Sequence, residues 1–268
     1  MHSHIKFGYA WYLTYGHLLV TAIVLPLLWI GLARKWAKPL VAILCALALW
    51  SVAAFLAVRF GADINGRMSL PTQAFLPSGS GRVLDMGAGT GRSTLMVLEA
   101  RPHAVVVALD SFSDSYVDHF GNQANGKPVP DQGRERLLEN LKIAGVVERA
   151  AVQAGDMRQM PIESATFDAV VSAYAIDHLG RAGTTKALAE AFRVLKPGGQ
   201  FLLIVIHKDL WFNLTWGPLF PHTRLPGRDH WLGLLHDAGF EVLETGTRPV
   251  TLYFLARKNG EKEDHIRR

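Results

Sequence analysis

Two long stretches without a charged residue open the chain. From Phe7 to Ala33, and again from Pro39 to Val58, there is no Lys, Arg, Asp or Glu. Each stretch is long enough as a helix to cross a hydrocarbon core of about 30 Å. Neither shows the polar stripe that a helix on a soluble core turns to water. Trp11, Tyr12, Tyr15, Trp29 and Trp36 are aromatic residues of the kind that settle at a membrane interface. The pattern predicts a transmembrane helical hairpin over residues 1–60, with Pro26 compatible with a kink. A cleaved signal fits less well, because the apolar run is long, only Lys6 precedes it and a second run follows.

The pattern then changes. Residues 61–81 hold Gly61, Gly66, Pro71, Pro77, Gly79 and Gly81 and read as a linker to a domain over 82–268. A short apolar run, Arg82 to Leu84, predicts a strand, and Ser93 to Ala100 a helix. Further strands are expected at Ala104 to Asp110, Ala150 to Met157, Phe167 onward and Gln200 to Ile204, the last after a Pro197-Gly198-Gly199 turn. Helices are expected at Gly133 to Ala144 and Arg228 to Ala238, followed by an antiparallel pair at Glu241 to Thr245 and Val250 to Arg257. Such alternation predicts an α/β fold, a doubly wound, Rossmann-like sheet.

Chemistry concentrates at the strand ends. Between the first strand and helix lies Asp85-Met86-Gly87-Ala88-Gly89-Thr90-Gly91, a backbone open to positive φ and to close approach by a nucleotide-like molecule. The following helix points its free N–H groups at the same place. Asp110 ends the second strand, where an acid can accept both hydroxyls of a ribose. Asp156 ends the third and can accept from an exocyclic amine, with the backbone beyond it meeting a ring nitrogen. A helix cap is the plainer role for Asp110, and a tight structural turn for the glycines.

Taken together, these motifs resemble a class I S-adenosylmethionine-dependent methyltransferase of the small-molecule and lipid type, over roughly Gly81 to Lys258. The resemblance rests on Asp85 to Gly91, Asp110, Asp156-Met157, Phe167 to Ser172 and Leu195 to Gly199, all in the family's order. It implies a seven-stranded sheet with an antiparallel last strand and S-adenosyl-L-methionine as cofactor. By the same resemblance Asp85, Gly87, Ala88, Gly89 and Gly91 would hold the methionine part, Asp110 and Ser111 the ribose, and Asp156 and Met157 the adenine. The turn Tyr174 to Leu179 would face the methyl group and lacks the Asn/Asp-Pro-Pro-Tyr pattern of amide and nucleic-acid base N-methyltransferases. Within it His178, with Asp177 beside it and Tyr174 nearby, is the candidate base; packing or capping is its plainer role. Tyr116, Asp118 and His119, in the long polar stretch Ser111 to Gln132, could reach a substrate or simply face water.

Composition and charge refine the partners. The net charge is +5, but the basic residues are spread along the chain without a basic block interleaved with aromatics, so nucleic acid is not expected; anionic lipid is. Cys45 is the only cysteine, which leaves no disulfide or cysteine metal cluster within one chain, and no metal is expected. His17 is the only readily ionised group in the apolar runs and is read as a neutral, hydrogen-bonded residue near the interface. The segment His207 to His222 is rich in Trp and Phe with few charges, which suits a lid, a headgroup-level surface or plain packing. With the hairpin, it points to a lipophilic small-molecule or lipid acceptor, methylated at O, N or S, with the bilayer as partner and the membrane helices as a route to a homo-oligomer. A cytosolic cofactor would place the catalytic domain in the cytoplasm and the basic loop Arg34 to Lys38 outside, against the basic-residue rule. A catalytically silent membrane scaffold and a Rossmann oxidoreductase are the alternatives.

Overall fold

A computed structural model describes residues 4–112, 123–124, 127–128, 132–220 and 225–259. The apolar runs form α1 (Tyr12–Ala33) and α2 (Lys38–Gly61), packed against each other through Val24, Leu44 and Ala48. Pro39 sits in the first turn of α2, where its missing N–H costs nothing. Both helices are long and apolar enough to cross a membrane, and only 17% and 28% of their most apolar stretches are buried, unlike core helices. Polar groups between them are paired: Thr21 Oγ1 meets Ser51 Oγ at 2.8 Å.

Beyond the hairpin the chain forms a sheet of seven strands. These are β1 (Ser80–Met86), β2 (His103–Asp110), β5 (Ala150–Ala154), β6 (Phe167–Ala173), β7 (Leu195–Ile206), β8 (Phe240–Arg248) and β9 (Thr251–Lys258). A separate two-stranded pair, β3 (Gln123–Ala124) and β4 (Lys127–Pro128), lies outside it. The order across the sheet is β5-β2-β1-β6-β7-β9-β8. The first five run parallel, while β9 is antiparallel to both β7 and β8, as expected. Helices α3 (Arg92–Ala100), α4 (Gln132–Ile143), α5 (Arg181–Val194) and α7 (Arg228–Asp237) cover its faces; α6 (Leu210–Thr215) follows β7. Since β1 is flanked by β2 on one side and β6 on the other, its carboxyl end is a switch point where α/β sheets leave a crevice.

Two details differ from the sequence expectation. The third strand stops at Ala154, leaving Asp156 in the turn beyond. The strand expected from Gln200 begins earlier, at Leu195: Phe167 pairs with Leu195 and Ala169 with Gln200, so Lys196 to Gly199 bulge out of β7, with Gly198 at φ +76. The Pro-Gly-Gly turn is thus an interruption inside one strand.

Packing also divides the chain differently from composition. Phe7 is 1% exposed in the sheet's core with Leu95, Phe112 and Leu137, although it belongs to the stretch assigned to the anchor. Asn140 clamps this N-terminal strap: its Oδ1 accepts from Lys6 N at 3.0 Å, and its Nδ2 donates to Lys6 O at 3.0 Å and Thr90 O at 2.9 Å. Thr90 Oγ1 donates to Phe7 O at 2.7 Å. Within 61–81, Leu70, Phe75 and Leu76 are core residues, and the Arg101 guanidinium holds Phe75 O and Gln73 O. At the hairpin, His17 is fully buried, its Nε2–H donating to Thr215 O at 3.0 Å between the rings of Trp50 and Trp216. Trp50 Nε1 donates to Leu214 O at 2.7 Å, so α6 is fastened to both hairpin helices.

Candidate active site

The carboxyl ends of β1, β2, β6 and β7 open onto a cavity of about 1060 Å³. Its inner wall is the glycine loop. Gly87 N and Ala88 N both donate to Leu109 O, at 2.8 and 3.1 Å, which folds the loop back over β2. Gly87, Gly89 and Gly91 take φ of +81, +58 and +92, a region side chains avoid. At Gly87 a Cβ would stand 2.3 Å from Ala175 Cβ and 2.9 Å from Met157 Cε, so only glycine lets the turns after β1, β5 and β6 meet. Gly87, Ala88, Gly89 and Thr90 face the cavity, whereas Gly91 shapes the entry to α3.

Asp110 sits beside this wall. It is 6% exposed, its Oδ2 accepting from Gly89 N and its Oδ1 from Phe112 N, both at 3.0 Å. These bonds aim an acceptor-only group along the loop, and Ser111 and Met157 extend the same wall. Open backbone, a fixed carboxylate at the end of β2 and a thioether beside Gly87 make a donor and acceptor set that fits an adenosyl group with its ribose diol.

Other predicted residues lie elsewhere. Asp85 is fully buried beneath the loop, accepting from Ser93 Oγ at 2.7 and 2.9 Å and from Thr94 Oγ1 at 2.6 Å. Burial pushes its carboxyl up to about 6 against the lowering effect of the two hydroxyls. It braces the loop from behind and does not line the cavity. Asp156 is gripped by Arg158, whose Nε and Nη2 donate at 2.7 to 3.0 Å. That bonding holds the carboxyl below its ordinary range. Met157 reaches the cavity and Asp156 does not.

Beside the glycines, the turn after β6 supplies Tyr174 and His178 to the wall. Tyr174 takes φ +53, its hydroxyl meets Thr251 Oγ1 at 2.7 Å, and the Arg92 guanidinium lies 5.9 Å from its ring centre. Burial pushes its phenol up. Asp177 turns away: Oδ2 accepts from Ile206 N at 3.2 Å, and Oδ1 is buried without a hydrogen-bond partner among the described residues. Burial raises its carboxyl, opposed by His178. Tyr116, Asp118 and His119 lie outside the described residues.

The remaining walls were not legible beforehand. Tyr9 comes from the strap, Asp63, Ile64 and Met68 from the segment after α2, and Phe60 from the hairpin itself. Phe212, Trp216 and Phe220 come from α6 and its continuation, and Arg248 to Thr251 from the β8–β9 turn. Arg92 ties this side together, donating to Gly66 O at 2.9 Å and Asp63 O at 3.0 Å. Only the Trp- and Phe-rich composition of His207 to His222 hinted at any of it.

Residues 84–203, which hold the glycine loop, Asp110 and the turn after β6, match the family model of the methyltransferase domain. The segment is thus similar to methyltransferase domains over somewhat less than half of the chain. Among curated relatives, the ubiquinone/menaquinone biosynthesis C-methyltransferase of Syntrophotalea carbinolica is 30% identical, over 55% of this chain and 52% of its own length. An uncharacterized methyltransferase of Mycobacterium tuberculosis is 31% identical over 56% of this chain and 51% of its own. The chain thus spans about half the length of these relatives. In fold, the domain is similar to an O-methyltransferase family 2 protein from Planctomyces limnophilus solved with apigenin. That likeness has a TM-score of 0.52 at 18% identity, covering 78% of this chain and 60% of that one.

Proposed function

We propose that the protein is a membrane-anchored methyltransferase that moves a methyl group from S-adenosylmethionine to an O, N or S of a lipophilic acceptor reaching the site from the bilayer side. The observation that carries this reading is the shared cavity. One wall is the glycine loop with Asp110; the other includes Leu13 of α1, Phe60 of α2 and the aromatic residues of α6. An acceptor bound there would touch the hairpin and the cofactor wall together.

The anchor reading rests on exposure and geometry. Trp29 is 72% exposed and Leu49 74%, on helices about 33 and 36 Å long at 1.5 Å per residue. Both ends of the hairpin are held at the catalytic domain, α1 by the strap and α2 through Asp63, whose Oδ1 accepts from Thr14 Oγ1. Arg34, Lys35 and Lys38 therefore mark the far end. With α6 beside His17 and Trp50, its exposed Leu210, Trp211 and Leu214 lie at the depth of the interfacial layer. A cofactor kept in the cytosol places the domain in the cytoplasm.

When bound, S-adenosylmethionine supplies a methyl on a sulfonium, open to in-line displacement. Asp110 would hold the ribose hydroxyls, the Gly87 to Thr90 backbone the methionine part, and Met157 the adenine face. The largely apolar walls exclude water and align the acceptor. His178 can take a proton at its imidazole when the acceptor atom carries one.

Calorimetric titration of S-adenosylhomocysteine into the detergent-purified protein tests the reading. Binding that Asp110→Ala weakens at least tenfold is expected, since charge-assisted hydrogen bonds are worth about 1.5–3 kcal/mol. A folded sample that does not bind would favour the silent scaffold, and preference for a nicotinamide dinucleotide the oxidoreductase.

A further inference from the structure

The charges lining the cavity are unevenly paired. Among the described residues four arginines border it: Arg59, Arg67, Arg92 and Arg248. Arg59 is neutralised by Asp63 at 3.1 Å and Arg67 by Glu99. Arg92 and Arg248 instead donate to backbone carbonyls, Arg248 to Pro71 O at 3.1 Å, and among the described residues neither has a carboxylate partner. The carboxylates that border the same space are committed, Asp63 to Arg59 and Thr14, and Asp110 to the N–H groups of Gly89 and Phe112.

A guanidinium offers five N–H donors in a planar fork that matches carboxylate and phosphate. Placed at the wall of a largely apolar cavity without a counter-charge, it favours an anion from outside. The same cavity is also lined by aromatic residues, Phe60, Phe212, Trp216 and Phe220. Cation and aromatic surface border one cavity.

Resting on the methyltransferase reading above, we infer that the acceptor is an amphiphile whose polar end is anionic, a phosphate or carboxylate, received by Arg248 and Arg92 while its apolar chain lies along Phe212 and Trp216. Membrane anchoring then supplies the chain end and the arginines select the head. Neutral and cationic amphiphiles of the same length are the discriminated class.

The test uses the full-length protein in dodecyl maltoside, titrated calorimetrically with octyl phosphate, octanol and inorganic phosphate against matched micelle blanks. Octyl phosphate is expected to bind at least tenfold more tightly than either of the others, because only it uses both surfaces. Arg248→Gln is expected to lower that affinity about tenfold, the worth of one charge-assisted contact, and to leave S-adenosylhomocysteine affinity unchanged. Should that variant fail to fold, Arg248→Met, which keeps the apolar stem, carries the same comparison. Equal binding of octyl phosphate and octanol overturns the anionic end. Equal binding of octyl phosphate and inorganic phosphate overturns the amphiphile, and wild-type affinity in Arg248→Gln overturns the residue assignment. In each case retained S-adenosylhomocysteine binding leaves the methyltransferase reading standing, whereas its absence in the wild type counts against that reading.

Discussion

Replacing Asn140 by leucine should release the strap that joins the apolar helical hairpin to the glycine loop. Asn140 is 1% exposed and makes three hydrogen bonds, two to the Lys6 backbone and one to Thr90 O. Leucine fills a similar volume and makes none of them. At about 1 kcal/mol net for each of the two bonds to Lys6, the docked strap loses roughly 2 kcal/mol relative to an undocked one, or about thirtyfold in that equilibrium. The Phe7 side chain and the Thr90 hydroxyl bond to Phe7 O remain, so the domain should stay folded. Trypsin reads the change, because Lys6 is a cleavage site that docking protects. Cleavage after Lys6, followed by mass spectrometry in detergent, should accelerate many-fold while the melting temperature moves by a few degrees. S-adenosylhomocysteine affinity should fall, because Tyr9 of the strap lines the cavity beside Gly87 to Thr90. An unchanged cleavage rate at Lys6 would refute the strap as a separately held element. So would simultaneous cleavage throughout the domain, which would mean that Asn140 supports the whole fold.

Two further outcomes follow from the loop. Asp85 has its carboxyl raised from 3.8 to about 6, so the folded protein keeps this proton where the unfolded chain has lost it. The group's contribution to stability is therefore full below about pH 4 and declines as pH rises to about 6, by on the order of 3 kcal/mol. Asp85→Asn should remove that part, so melts of variant and wild type should diverge between pH 4 and 6.5; parallel curves would contradict it. Gly87→Ala should abolish S-adenosylhomocysteine binding in a protein that still folds, because the added methyl meets Ala175 Cβ at 2.3 Å on a backbone at φ +81. Overpacking of this kind costs about 1–3 kcal/mol and is relieved by moving the loop. Wild-type affinity in that variant would show the loop to be more pliant than the contact implies.

Much of the glycine-loop wall was legible because its signals are local. A strand, alternate glycines and a helix lie within a few residues of each other, and Asp110 stands at the end of the next apolar run. What the acids do was not local. Asp85 and Asp110 both end apolar runs, yet Asp85 is turned inward by the hydroxyls of Ser93 and Thr94 while Asp110 is held at the cavity edge by two N–H groups. Arg158, two residues after Asp156, takes up its carboxylate, a pairing that composition does not reveal. The Pro-Gly-Gly turn was visible as a turn, but its place inside β7 depends on which residues of β6 pair on either side.

By itself the sequence determined the hairpin, the order of strands and helices and the glycine loop, since hydrophobic period and turn chemistry act between neighbours. Tertiary structure alone decided that these parts make one site. Lys6 meets Asn140 across 134 residues and His17 meets Thr215 across 198, and no periodicity encodes contacts of that range. They form because burial of Phe7 in the sheet's core and of His17 between Trp50 and Trp216 sets the strap and α6 against the base of the hairpin, and that arrangement brings the apolar helices to the wall of the cavity.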